Sequence, residues 1–171
     1  VLTRSALIAS AQANAANLGW EPGDAWMLCM PIARIGGLSI LTRALAARRC
    51  VALAKEFDDA AFPDWIASHR VTLVSLVPTM LMRVLDRHPA WTAPTHLRAV
   101  LLGGAAASPR LLERAVARRC PVVLTYGLTE TCSQVCATPY AARFAPADWG
   151  AGIALSGIDV RTCDERIEVR G

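Results

Sequence analysis

Several kinds of chemistry are missing from this sequence, and each absence removes a class of function. No GxSxG stands anywhere, which excludes a serine-hydrolase nucleophile elbow. Neither GxGxxG nor GxxxxGK[ST] occurs, so the usual dinucleotide and Walker phosphate loops are not indicated. The cysteines Cys29, Cys50, Cys120, Cys132, Cys136 and Cys163 form no CxxC pair and no framework spacing. Cys132 and Cys136, four apart, could share a helical face, but no histidine lies nearby to complete a zinc site. The three histidines, His69, His88 and His96, fall at helix ends or in loops and suit surface positions better than a catalytic base. Every apolar stretch is broken by Arg, Pro or Gly well before the ~18 residues of a membrane span. The first residue is Val1, and a charged n-region with a cleavage site is absent, so the chain is expected to be part of something longer.

What is present reads as one globular α/β domain. Of 171 residues, 54% are apolar and 19% charged, enough to bury a continuous core. The net charge is +4, with a single lysine, Lys55, among 18 basic residues. The arginines are scattered over the polar faces of presumed helices, a pattern of solvated surface and not of a nucleic-acid stripe. Anionic small ligands remain compatible with it. Cysteine usage fits a reduced, cytoplasmic protein.

Helical and strand patterns alternate. Residues 3–18 are Ala-rich, with Thr3 or Ser5 as N-cap, Gly19 as stop, and Leu7, Ile8, Ala11 and Ala15 on one apolar face. Strands are expected at 26–30, 50–53, 71–77, 98–102 and 121–125, with helices near 38–47, 59–68, 79–87 and 109–119. Two further short strands, 158–161 and 166–169, read as a hairpin around 162–165. The alternation predicts a mostly parallel sheet flanked by helices, with a small C-terminal β-hairpin. Residues 139–148 read as a loop and 149–157 as a glycine-punctuated stretch.

Three places invite a ligand. Tyr126-Gly127-Leu128-Thr129-Glu130-Thr131 follows an apolar strand, and Gly127 is expected to permit a sharp turn presenting a phenol, hydroxyls and one carboxylate. An aromatic ring, hydroxyls and a carboxylate suit a base, a phosphate and magnesium, while a polar turn capping the next element is the plain alternative. Gly103-Gly104-Ala105 follows another strand and allows close backbone approach. Gly36-Gly37 does the same at a helix start, or packs that start tightly on the sheet, and nearby Arg34 points to solvent or meets an anion.

Together these segments resemble the adenylate-forming superfamily, which includes acyl-CoA synthetases, luciferases and peptide-synthetase adenylation domains. Thr125 to Thr131 is similar to its YGxTE signature, and Leu2-Thr3 to the segment after its phosphate loop. Met30-Pro31 through Gly36-Gly37-Leu38, Val77-Pro78-Thr79, Leu102-Gly103-Gly104-Ala105 and Ile167-Glu168-Val169-Arg170-Gly171 occur in the expected order. Ser75 to Leu81 and Thr129 to Gln134 look most like the o-succinylbenzoate–CoA ligases of menaquinone biosynthesis. The resemblance implies a ligase that forms an acyl-adenylate from a carboxylate and ATP, then passes the acyl group to CoA.

By the same resemblance, Tyr126 would stack on adenine beside Gly127. Thr129 would contact phosphate, and Glu130 would hold Mg2+. Gly103, Gly104 and Ala105 would border the acyl and nucleotide pocket with Gly36 and Gly37. Arg34 stands where many relatives have histidine, so that role does not transfer; it could instead grip the distal carboxylate of a dicarboxylic substrate. Residues 1–150 would be the parallel α/β subdomain of an AMP-binding domain, and 151–171 the start of a following β subdomain. The phosphate loop with its lysine, a ribose-binding aspartate and a C-terminal domain carrying a second lysine would lie outside this chain, and Lys55 is in the wrong segment to replace either lysine. Those missing parts of its own enzyme are its expected partners, and the isolated chain is expected to release no pyrophosphate. Another aryl or fatty acid as substrate, or a non-catalytic nucleotide- or partner-binding module, are the competing readings.

Overall fold

The computed structural model describes residues 2–144 and 150–171. The element order is α1 (Arg4–Leu18), β1 (Ala25–Leu28), α2 (Ile35–Ala47), β2 (Cys50–Leu53), α3 (Phe62–Ser68), β3 (Leu73–Leu76) and α4 (Pro78–Arg87). Then follow β4 (Ala99–Leu102), α5 (Pro109–Ala117), β5 (Val122–Leu128), β6 (Ser133–Ala137), β7 (Ile153–Ala154), β8 (Asp159–Cys163) and β9 (Arg166–Arg170). Local chemistry sets several starts. Thr3 Oγ1 accepts from the Ala6 N–H at 3.2 Å, and Ser108 Oγ from the Leu111 N–H at 3.3 Å. Proline occupies the first turn of α3, α4 and α5, where its missing N–H is harmless.

A seven-stranded sheet runs β2-β1-β3-β4-β5-β6-β7, parallel from β2 to β5 and antiparallel from β5 to β7. Alternate strand residues divide between two cores. Trp26, Leu28, Leu73, Leu101 and Val123 pack with Leu18 and Ile40 of α1 and α2. Met27, Val74, Val100, Leu102 and Val122 pack with Ile66, Leu81, Leu85 and Leu112 of α3, α4 and α5. The chain leaves β1 through α2 toward β2, but leaves β3 through α4 toward β4. The carboxyl ends of β1 and β3 therefore part in opposite directions, leaving a crevice where an open α/β sheet binds ligands.

The mostly parallel sheet with flanking helices is present, and so is the hairpin, β8-β9, joined by Asp164 and Glu165 at φ 48° and 59°. β7 still pairs with β6, so the large sheet extends past residue 150. Four local expectations are corrected. Tyr126 to Leu128 continue β5, and the turn is the short 3-10 segment Thr129–Thr131. Gly127 is required by closeness, since a Cβ there would stand 1.7 Å from the Ser133 carbonyl oxygen. Cys132 and Cys136 share no helix: Cys132 is left-handed at φ 61° and Cys136 lies in β6. The buried face of α1 is Ala11, Ala13, Asn14 and Leu18, while Ile8 is exposed. The expected loop 139–148 and stretch 149–157 include residues 145–149, outside the described residues.

Candidate functional site

At that crevice lies a cleft of about 150 Å³, floored by Ser75, Leu101 and Thr125 and walled by Gly36, Arg43, Gly103, Gly127 and Gln134. Its opening depends on missing side chains. A Cβ on Gly103 would sit 2.3 Å from Thr125 Oγ1, and Gly104 takes φ 80°. Neither position tolerates a larger residue without moving the wall.

Arg43 defines the electrostatics. It is only 2% exposed. Its Nη2 donates to Ser133 Oγ at 3.1 Å, and its guanidinium lies 5.6 Å from the centre of the Trp26 ring. Among the described residues no carboxylate pairs with it, and its Nε has no hydrogen-bond partner. Burial pushes its pKa down to about 10, opposed by the nearby Cys132 thiol, so it stays charged at neutral pH. A buried charge without a counter-charge is costly unless something else supplies one. Around it, Trp26 Nε1–H donates to Ser75 Oγ at 3.2 Å, and Asn14 Nδ2 donates to Gln134 Oε1 at 2.7 Å.

Behind Gln134 is a second hollow of about 510 Å³, lined by Ala6, Ser10 and Ala13 of α1, by Glu130 to Cys132, and by Ser156 to Ile158. Thr131 braces the turn, its Oγ1 accepting from the Leu128 N–H at 3.3 Å and donating to the Leu128 carbonyl at 3.1 Å. Ser10 Oγ donates to the Cys132 carbonyl at 2.8 Å, tying α1 to the end of that turn.

The structure therefore divides the expected site residues. Gly36, Gly103, Gly104 and Gly127 line the cleft. Tyr126 is half-buried in β5, Thr129 and Glu130 are exposed on the turn, and Glu130 faces the second hollow. Ala105 is exposed just past Gly104. Gly37 packs against the chain, a Cβ there standing 2.4 Å from the Pro31 carbonyl oxygen. Arg34 is exposed immediately before α2 and does not line the cleft. Sequence reading missed Asn14, Arg43, Ser75, Ser133 and Gln134. The available signal was spacing: Gly36, Ile40 and Arg43 fall on one helical stripe, so a charge sat on an apolar face. Among the described residues no group of three His, Cys, Asp or Glu could hold a metal, and no helix is long and apolar enough to cross a membrane.

Comparison with known proteins gives the same direction. The 2-succinylbenzoate–CoA ligases of Bacillus cereus (strain Q1) and Bacillus cytotoxicus are 39% and 40% identical over 136 residues, covering 80% of this chain and 28% of each relative. The o-succinylbenzoate coenzyme A synthetase of Bacillus subtilis in complex with ATP and a magnesium ion superposes with a TM-score of 0.89 at 32% identity, covering 99% of this chain and 37% of that one. The same synthetase in complex with the acyl-adenylate intermediate gives 0.87 at 31% identity, covering 96% and 34%. The chain thus spans about 28% of the length of the curated relatives it matches. The model for AMP-binding enzymes matches residues 1–170, and the chain belongs to that family.

Proposed function

We propose that this chain forms the central part of an ATP-dependent acid–thiol ligase whose acyl substrate carries a second carboxylate, with o-succinylbenzoate the expected acid. The observation that carries this reading is Arg43, buried and charged in a cleft that offers no carboxylate among the described residues. A guanidinium there suits a substrate carboxylate, which would complete its hydrogen bonds and neutralise its charge. The distal-carboxylate role expected for Arg34 thereby moves to Arg43, nine residues further along the chain. The relatives' names and bound ligands support the choice of acid.

In the first half-reaction a substrate carboxylate oxygen attacks the α-phosphorus of ATP, releasing pyrophosphate. In the second, the CoA thiol attacks the acyl carbon and AMP leaves. Tyr126 stacks on adenine, Thr129 donates to phosphate, and Glu130 offers one hard oxygen to Mg2+. A single exposed carboxylate without an ion-pair partner among the described residues fits that metal, because magnesium on a nucleotide takes most other ligands from phosphate and water. Magnesium supplies charge neutralisation on the phosphates; the chain's own residues bind, orient and exclude water. A cytoplasmic location fits these substrates, and nucleic acid is not among the partners.

The test is a survey of CoA-thioester formation by the full-length protein across aryl and alkyl carboxylates. An aromatic dicarboxylate is expected to give the highest kcat/KM. Equal rates with simple fatty acids would contradict the choice of substrate, and no thioester from any acid would contradict the ligase reading.

A further inference from the structure

Gln134 has no part in the reading above, yet it forms the wall between the two hollows. It is 5% exposed and, among the described residues, its amide has one hydrogen-bond partner, Asn14, whose Nδ2 donates to its Oε1 at 2.7 Å. Asn14 is 1% exposed in the middle of α1, a place where alanine would serve the helix better. Its own Oδ1 has no partner among the described residues. An asparagine kept there at that expense is explained by what it does to its neighbour. An amide whose oxygen is engaged offers its NH2 on the other side. Ser75 and Ser133 are treated alike: each hydroxyl already accepts a bond, from Trp26 and from Arg43, and keeps its proton to donate.

We infer that Asn14 is a positioning residue that locks Gln134 with its NH2 toward the Arg43 cleft, making a donor-rich pocket that selects an ionised carboxylate on the acyl group and rejects a neutral carboxamide in its place. The inference rests on the ligase reading and adds to it. Arg43 supplies charge, which any anion satisfies, whereas the fixed amide supplies polarity at a second point. A carboxamide would present its own N–H groups to donors, leaving buried donors unpaired.

The experiment compares kcat/KM of the full-length protein for an aromatic dicarboxylate and for the analogue whose second carboxylate is a carboxamide. The wild type is expected to prefer the carboxylate by about a hundredfold. Asn14→Asp obliges Gln134 to donate to the new carboxylate and turn its oxygen into the cleft, so the preference falls about tenfold while the KM for ATP is unchanged. Gln134→Met keeps the shape, removes both donors and lowers the preference by a similar factor. Should Asn14→Asp fail to fold, Gln134→Met and Asn14→Leu carry the same test. Variants that slow both substrates equally and leave the ratio intact would overturn the inference, as would a wild type that prefers the carboxamide. An inactive wild type would instead remove the ligase reading, so the two failures are distinct.

Discussion

The two ends of the parallel strands each hold an arginine withdrawn from solvent, and they treat it in opposite ways. At the amino ends, the Arg98 side chain is 11% exposed and its Nε and Nη2 donate to both oxygens of Asp24 at 3.0 Å. Glu21, Tyr140 and the Gly19 carbonyl take its remaining hydrogens, while Thr72 donates to Asp24 at 2.7 Å. Burial alone would lower its pKa, but the bonds to Asp24 and Tyr140 outweigh that and raise it. At the carboxyl ends of the strands, Arg43 is more deeply buried; it donates to Ser133, lies over the face of Trp26, and has no carboxylate partner among the described residues. One arginine is satisfied by the fold; the other, on the reading proposed above, would be satisfied by a substrate carboxylate. The contrast in partners among the described residues is what motivates the proposed role of Arg43.

Substitutions can break this comparison. The largest expected effect is at the amino ends: Arg98→Leu strands Asp24 as a buried, unpaired carboxylate and should lower stability by ~3–5 kcal/mol in urea unfolding of the full-length protein. Gly127→Ala forces a Cβ against the Ser133 carbonyl, so β5 and β6 must part and stability should fall by roughly 2 kcal/mol. Arg43→Leu has the opposite sign, raising the free energy of unfolding by about 1 kcal/mol in the absence of ligand, because a lone buried charge is removed. A fall as large as that of Arg98→Leu would mean Arg43 is structural after all.

The smallest effect is expected at a buried carboxylate held by two exposed arginines. Asp59 accepts from Arg87 Nε at 2.6 Å and pairs with Arg83, both arginines being more than half exposed. The Arg87 hydrogen bond holds its carboxyl below the ordinary 3.8. Its folded pKa is lowered, so its contribution is complete above 3.8 and is lost as pH falls through the lowered value. Asp59→Asn is therefore expected to flatten the acid limb of the stability–pH curve without changing the plateau shape above pH 5.

Much of the fold was legible because its signals are local. β-branched apolar runs gave the parallel strands, and Thr3, Ser108 and the helix-start prolines gave helix entries. The candidate cleft was legible only where it uses the same local signals, as in the glycines after β4 that line it. What escaped depends on which way a residue faces after packing. Asn14 reads as one polar residue in an alanine-rich helix, and Arg43 as one more arginine in a chain of scattered arginines. Only the sheet brings residues so distant in the chain as Asn14 and Gln134 within 2.7 Å. Arg34 illustrates the converse: its place in the motif drew attention, but its backbone precedes α2 and leaves it in solvent.

The most direct test of the account is the ratio of kcat/KM for an aromatic dicarboxylate to that for its monocarboxylate counterpart, measured for the full-length wild type, Arg43→Leu and Arg34→Ala. A large preference for the dicarboxylate is expected in the wild type, unchanged in Arg34→Ala and reduced by about a hundredfold in Arg43→Leu. A preference that survives Arg43→Leu would contradict it.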